Sequence, residues 1–293
     1  MPCIDVHITD IYYALMPELP EVETVCLAMK NTLPGKRITS ISTSGKRLRE
    51  PIDEIRLNKL INDKFIEVKR RAKYLFLHLA SGTTLLIHLG MSGNLLLRKS
   101  REKHDHVIFH LGQERPLVFN DPRRFGMVLV LEKNEIHTCS YLVNLGVEPL
   151  TPKLNKRYLM KKCHGTNTPI KNLIMNNKVI VGIGNIYANE SLFQAKIHPK
   201  TPARHLNPAE ITILTRAIKN VLSKAVKKGG TTINDYLGSG EGGRFQQKLS
   251  VYGRNGQACG KCSNTIVKTR MAGRSTFYCT LCQRPKKSAS AEK

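Results

Sequence analysis

From Arg37 to about Val130 the apolar residues come in short runs rich in Ile, Val, Leu and Phe: RITSIS, KFIEVKRR, YLFLHL, TTLLIHL, HVIFHL, PLVF and GMVLVL. Each run has the length of a strand, and SG, GN, GQE or NDP stand between them, so this part of the chain predicts an antiparallel sandwich or barrel. A helix precedes it. In MPELPEVETVCLAMKNTLPG, Pro20, Glu21 and Glu23 mark the start, Val22, Val25, Cys26, Met29 and Leu33 form one buried stripe, and Gly35 ends it. After Pro149 the pattern becomes helical. NPAEITILTRAIKNVLSKAVKKGG opens with an Asn cap and a Pro at the first helical position, sets Ile211, Leu214, Ile218, Val221, Leu222 and Ala225 on one face, and stops at Gly229. The polar tail RPKKSASAEK is expected to be disordered.

A length of 293 residues leaves room for two domains and a small appendage. Charge narrows the partner: 47 Lys and Arg against 22 Asp and Glu give +25, spread along the chain rather than held in one tail. Such an excess repels itself on folding, and a polyanion offsets it. No run of apolar residues is long enough to span a membrane. Residues 1–15, MPCIDVHITDIYYAL, carry two Asp and no Lys or Arg, which does not suit export. A cytoplasmic protein is therefore expected, and its scattered Cys3, Cys26, Cys139 and Cys163 are read as small buried hydrophobes.

The other four cysteines form two CxxC pairs, Cys259/Cys262 and Cys279/Cys282. Each pair offers two thiolates from one tight turn, and two facing turns complete the tetrahedron of one structural Zn²⁺. A redox CxxC belongs at a helix start, whereas these flanks read as strands. Between the pairs, IVKTRMAGRSTFYC reads as a β-hairpin with Ala-Gly at its tip, presenting Lys268, Arg270 and Arg274 either to a phosphate backbone or simply to solvent.

The stretch MPELPEVETV places Pro17 just before a helix start. With Met16 as initiator and then removed, Pro17 would carry a free secondary amine. Such an amine can attack a sugar C1′ and form an iminium, whose positive nitrogen acidifies the C2′ hydrogen and links base loss to strand cleavage. Glu18 stands beside it, placed to move protons at the sugar oxygen. By composition alone, a helix-capping Pro and acid would account for the same residues.

Seven blocks, MPELPEVETV, RRAKYL at 70–75, HLGMSG at 88–93, KHDH at 103–106, NDPRRFG at 120–126, VGIGNIYANESLF at 181–193 and GRSTFYCTLCQ at 273–283, together resemble the bacterial formamidopyrimidine-DNA glycosylase family. The resemblance implies a multidomain α+β chain. It would comprise an N-terminal antiparallel β-sandwich with flanking helices (16–149), a helical helix–two-turn–helix DNA-binding domain (150–248), and a four-Cys zinc β-hairpin (249–284), with a tail at 285–293 and a leader at 1–15 outside the mature protein. It implies a monomer acting on double-stranded DNA with oxidised bases, with one structural Zn²⁺ and no organic cofactor. Pro17 would be the Schiff-base nucleophile, Glu18 the proton donor at the sugar, Lys73 the proton donor for β-elimination and Arg274 the group for δ-elimination. Met91, Arg123 and Phe125 match the wedge that fills the space of a flipped-out base. In VGIGNIYANESLF, Gly182 and Gly184 would admit a phosphate to which Asn185 donates. His104 and Lys171 match further DNA contacts, and a metal reading of His104-Asp105-His106 is set aside because successive strand residues face opposite sides.

The chain departs from the family pattern in its leader, in Asn167 where a basic contact is common, and in the loop-like segment at 229–245, which is shortened and has Asn234 in place of a cation. Two rival readings share some of these features. One is an endonuclease VIII-type glycosylase for oxidised pyrimidines; the other is a zinc-ribbon DNA-binding protein without catalysis.

Overall fold

The computed structural model describes residues 17–229 and 249–286. The leader, the loop-like segment from residue 230 with its Asn234, and the last residues of the tail lie outside the described residues. The chain forms two compact units. The first contains Pro17 and residues 21–138; the second contains residues 18–20, 139–229 and 249–286.

Helix α1 (Leu19–Thr32), in the first unit from its third residue on, is followed there by β1 (Ser40–Thr43), a short helix α2 (Glu54–Asn58), β2 (Phe65–Arg71), β3 (Tyr74–Leu79), β4 (Thr84–His88), β5 (Asn94–Leu97), β6 (Asp105–His110), β7 (Leu117–Asn120) and β8 (Met127–Leu131). The strands make two four-stranded antiparallel sheets in the orders β1-β6-β7-β5 and β2-β3-β4-β8. Alternation decides what faces inward. Leu75, Leu77 and Leu79 of β3, Leu85 and Ile87 of β4, Val107 and Phe109 of β6, and Leu117 and Phe119 of β7 share one core with Val22, Val25, Cys26, Met29 and Leu33 of α1. Phe65 and Val68 of β2 both reach this core although three positions apart, because a register shift between Phe65 and Glu67 adds one residue to the strand.

The seven apolar runs all contribute strands, and in this unit the structure adds two elements that the pattern did not single out, β5 and α2. Cys26 and Cys163 are buried, and burial pushes both thiols up to about 11, as expected of inert hydrophobes. Cys139 departs from that expectation and is only half-buried.

The second unit holds α3 (Lys156–Cys163), α4 (Ile170–Ile174), α5 (Asn185–Ala195) and α6 (Pro208–Lys227), then the hairpin β9 (Ile266–Met271) and β10 (Arg274–Cys279). Helix α6 starts on a full capping box, with the Asn207 side chain on the Glu210 amide and the Glu210 carboxylate on the Asn207 amide. Its buried face is the expected one with Thr215 and Ala217 added, whereas Val221 lies at the margin. No described helix is long and apolar enough to cross a membrane.

Candidate functional site

Glu18 is the most completely held of the candidate side chains. Helix α5 begins at Asn185 with Gly184 as its cap residue, and its first turn offers backbone N–H groups that no helical carbonyl accepts. The Glu18 carboxylate takes them: Gly184 N–H and Tyr187 N–H donate to Oε2 at 2.8 and 3.3 Å, and Ile186 N–H donates to Oε1 at 2.8 Å. Charge at the positive end of α5 is favourable as well. Glycine is obligatory in this arrangement. A Cβ at Gly184 would lie 2.3 Å from the Glu18 carboxyl carbon, and one at Gly182, where φ is +80°, would lie 2.7 Å from Leu19 Cβ. The room expected to admit a phosphate is thus filled by the chain's own Glu18 and Leu19. Pro17, directly before Glu18, is half-buried.

Lys73 sits in the two-residue turn between β2 and β3, next to Ala72 at φ +56°. Opposite that end of β3, Tyr74 pairs with His88, and their rings lie 5.0 Å apart. Sequence reading passed over His88. It is buried, its Nδ1 accepts the Gly90 N–H at 2.9 Å, and burial, aided by the charges of Arg49 and Lys73, pushes its imidazole down to about 3. His88 is thus a neutral ring that pins the turn carrying Met91.

Met91, Arg123 and Phe125 are brought together. Their two loops meet main chain to main chain, since a Cβ on Gly90 would lie 2.5 Å from both Phe125 C and Gly126 N. Asp121, fully buried, organises the pair: Oδ1 accepts from Ser92 Oγ at 2.6 Å and from Arg123 N–H at 3.3 Å, and Oδ2 accepts from Gly126 N–H at 2.7 Å. The Arg123 guanidinium lies 5.0 Å over the exposed Phe125 ring. The carbonyl of half-buried His104 accepts the Asp121 amide at 2.9 Å. Its neighbours are fully engaged elsewhere, which agrees with setting the metal reading aside: Asp105 holds Arg98 and Asn120, and His106 holds Ser44 Oγ and the Asp121 carbonyl. Asp121 and Ser92 were not found from sequence, although both lie in blocks that resemble the family.

Arg274 is the first residue of β10, exposed after the Ala272-Gly273 turn. Lys171 and Asn185, expected to contact DNA, are both hydrogen-bonded to its strand. Lys171 Nζ donates to the Ser275 carbonyl at 3.1 Å and to Thr276 Oγ1 at 2.7 Å, and Asn185 Nδ2 donates to the same carbonyl at 2.8 Å. Lys171 is buried on α4. Desolvation pushes its ammonium down to about 8; the positive charge of Arg274 acts the same way and Glu18 opposes it. Asn167 is exposed. Glu18, Lys171, Asn185 and Arg274 therefore fall in one unit, and Lys73, Met91, His104, Arg123 and Phe125 in the other.

The sulfur atoms of Cys259, Cys262, Cys279 and Cys282 lie within 4.8 Å of one another, the sole such metal-capable cluster among the described residues. Four thiols from two turns fit one structural zinc and leave no open position for chemistry. The local core is small: Phe193, Val251, Ile266 and Phe277 with Cys259 and Cys279. Glu190 of α5 anchors the chain entering it, accepting N–H bonds from Ser250, Val251 and Tyr252 at 2.9, 2.9 and 3.0 Å.

Comparison with known proteins gives three matches along the chain. Residues 16–128 match the formamidopyrimidine-DNA glycosylase N-terminal domain, residues 145–236 the formamidopyrimidine-DNA glycosylase H2TH domain, and residues 256–285 the zinc finger found in FPG and IleRS. The formamidopyrimidine-DNA glycosylase of Rickettsia bellii (strain OSU 85-389) is 44% identical over 273 residues, covering 92% of this chain and 100% of that protein. A mutant Lactococcus lactis FPG in complex with Fapy-dG-containing DNA superposes with a TM-score of 0.84 at 32% identity, covering 92% of this chain and 100% of that one. The Lactococcus lactis Fpg in complex with abasic-site DNA gives 0.83 at 32% identity, covering 91% and 99%.

Proposed function

The chain belongs to the formamidopyrimidine-DNA glycosylase family, and from that membership we propose that it removes oxidised purines, 8-oxoguanine and formamidopyrimidines, from double-stranded DNA and then cuts the strand at the abasic site. The observation that carries the reading is the fixed carboxylate of Glu18, directly after Pro17 and held by three amides at the cap and first turn of α5.

Pro17, with its nitrogen free, attacks C1′ of the damaged nucleotide; the C1′–base bond breaks and the base leaves with a proton. Glu18 serves the sugar oxygen during ring opening. The iminium draws electrons from C2′, so loss of the C2′ proton expels the 3′-phosphate, and loss of the C4′ proton then expels the 5′-phosphate. Lys73 assists the first elimination and Arg274 the second. Met91, Arg123 and Phe125 fill the stack behind the flipped nucleotide, which has to leave the duplex before the amine can reach it. His104 and Asn185 belong to the DNA-binding side, and buried Lys171 serves it through the hairpin it holds. The zinc held by Cys259, Cys262, Cys279 and Cys282 orders the hairpin that carries Arg274.

This reading includes Met16 as working start, with residues 1–15 absent from the mature protein, because an amide nitrogen at Pro17 cannot form an iminium. It also includes the division at residues 149, 248 and 284, action as a monomer, and a place in the cytoplasm at the nucleoid. The +25 charge supports a polyanionic substrate and predicts affinity that falls steeply with salt. The N-terminal match and the curated relative carry the name formamidopyrimidine-DNA glycosylase, which favours neither the oxidised-pyrimidine reading nor the non-catalytic one.

Borohydride reduces an iminium to a permanent crosslink. Protein beginning at Pro17 should be trapped on an 8-oxoguanine duplex, whereas Pro17→Gly retains only a primary amine and should trap far less. Stronger trapping on an oxidised-pyrimidine duplex, or none on any duplex, would overturn the assignment.

A further inference from the structure

The zinc hairpin has two strands, so one edge of β10 has no strand beside it among the described residues. A hairpin with a bare edge holds its position poorly, and Arg274 opens this strand. The edge is nevertheless filled. The Ser275 carbonyl receives Lys171 Nζ and Asn185 Nδ2, and two residues on, the Phe277 N–H donates to Asn189 Oδ1 at 2.9 Å. Three side chains of α4 and α5 thereby stand in for a third strand. Between these points Thr276 is fully buried, and its hydroxyl accepts the shortest of Lys171's bonds, 2.7 Å.

We propose that Lys171 and Thr276 are positioning residues for Arg274: the buried ammonium grips the main chain and hydroxyl directly after Arg274 and so fixes where that guanidinium meets the departing phosphate. The inference rests on the reading of Arg274 as the group of the second elimination. The geometry separates it from a direct role of Lys171 on DNA. Lys171 is 1% exposed, and two of its three N–H bonds are spent on the hairpin. Lys171 and Arg274 also line one cavity of about 190 Å³ in which like charges face each other. Mutual repulsion cannot hold Arg274 near Lys171. The hydrogen bonds to residues 275 and 276 do so.

The test uses the protein starting at Pro17 on an abasic-site duplex, with three readouts: borohydride crosslinking, the ratio of second- to first-elimination products, and zinc content. Thr276→Val removes the acceptor while keeping the β-branched shape. It is expected to retain zinc and crosslink like wild type, with the product ratio falling about tenfold, the size expected from one lost hydrogen bond to a charged group. Thr276→Ser restores the hydroxyl and should restore the ratio. Lys171→Met should lower the ratio similarly, and adding Thr276→Val to it should change little more, because both break one interaction. An unchanged ratio in Thr276→Val, a Ser variant as impaired as Val, or full additivity of the pair would overturn the proposal. Should Thr276→Val shed its zinc, the ratio in Lys171→Met decides alone. Failure of the wild type to crosslink would instead defeat the proposed function itself.

Discussion

The β-sandwich and the zinc hairpin both present chemically important side chains from turns, yet they hold those turns by different means. In the sandwich the turns close strands whose inward residues share one continuous apolar core, and the positions of Met91, Arg123 and Phe125 follow from that buried backbone plus a single buried carboxylate, Asp121. The hairpin has a small local core in which cysteines take a share. Its position is borrowed: from a metal, from Glu190 beneath residues 250–252, and from Lys171, Asn185 and Asn189 along its edge. Apolar burial tolerates the loss of one contact, because it is spread over many. Borrowed polar bonds fail one at a time, so the hairpin should be the more fragile carrier of function.

Removing the metal should separate the two regions most. Zinc sites of this type bind with about 10–16 kcal/mol, far more than a core this small can replace. Cys279→Ser, or treatment with a strong chelator, is expected to abolish strand cleavage and open residues 249–286 to protease while the sandwich keeps its far-ultraviolet circular dichroism. Undiminished cleavage by metal-free protein would refute the dependence.

Gly184→Ala comes next. Its Cβ would occupy the place of the Glu18 carboxyl, so crosslinking should fall by about a hundredfold or more, the scale of a lost proton-transfer group. Urea unfolding of the sandwich should not change; a comparable loss of stability there would show that the glycine serves general packing.

Within the sandwich, Asp121→Asn keeps the shape but weakens the acceptor for Ser92, Arg123 and Gly126. A cost of about 2 kcal/mol in urea unfolding is expected, from hydrogen bonds to a charged group becoming neutral ones. A wedge defect without any change in stability would place Asp121 in function rather than scaffold.

The last effect is a dependence on pH, and it is absent at neutrality. His88 titrates at about 3 in the fold and at 6.5 in the unfolded chain. Between those values the unfolded state binds the extra proton, so this group's contribution is fully present above about pH 6.5 and is lost as pH falls toward 3, at up to about 1.4 kcal/mol per pH unit. His88→Gln should flatten that acid slope; an unchanged slope would mean that other groups set it.

Much of this was legible in advance. Strand runs announced themselves by alternation, α6 by its Asn-Pro start, and the zinc site by spacing, because each signal is local. Strand β5 escaped because its four residues follow directly on the Gly-rich turn, and α2 is too short for a helical period to show. The supports of the site escaped for a different reason. Ser92 meets Asp121 across 29 positions, Glu190 meets Ser250 across 60, and Lys171 meets Thr276 across 105. Nothing in a lysine or an asparagine says whether its donors will face phosphate or a neighbouring strand; Lys171 and Asn185 carry the same residue types in either role.

The contact of Gly90 with Phe125 and Gly126 limits how this scaffold can be recombined. Two bare stretches of main chain form a common wall, so neither loop can change its path without displacing the other. Segments exchanged with a distant relative to alter lesion preference would need to carry residues 88–93 and 120–126 as one cassette, whereas at Gly112 in the β6–β7 connection a Cβ would come no closer than 3.8 Å, to a Thr39 methyl, so no neighbouring main chain blocks a change of that turn.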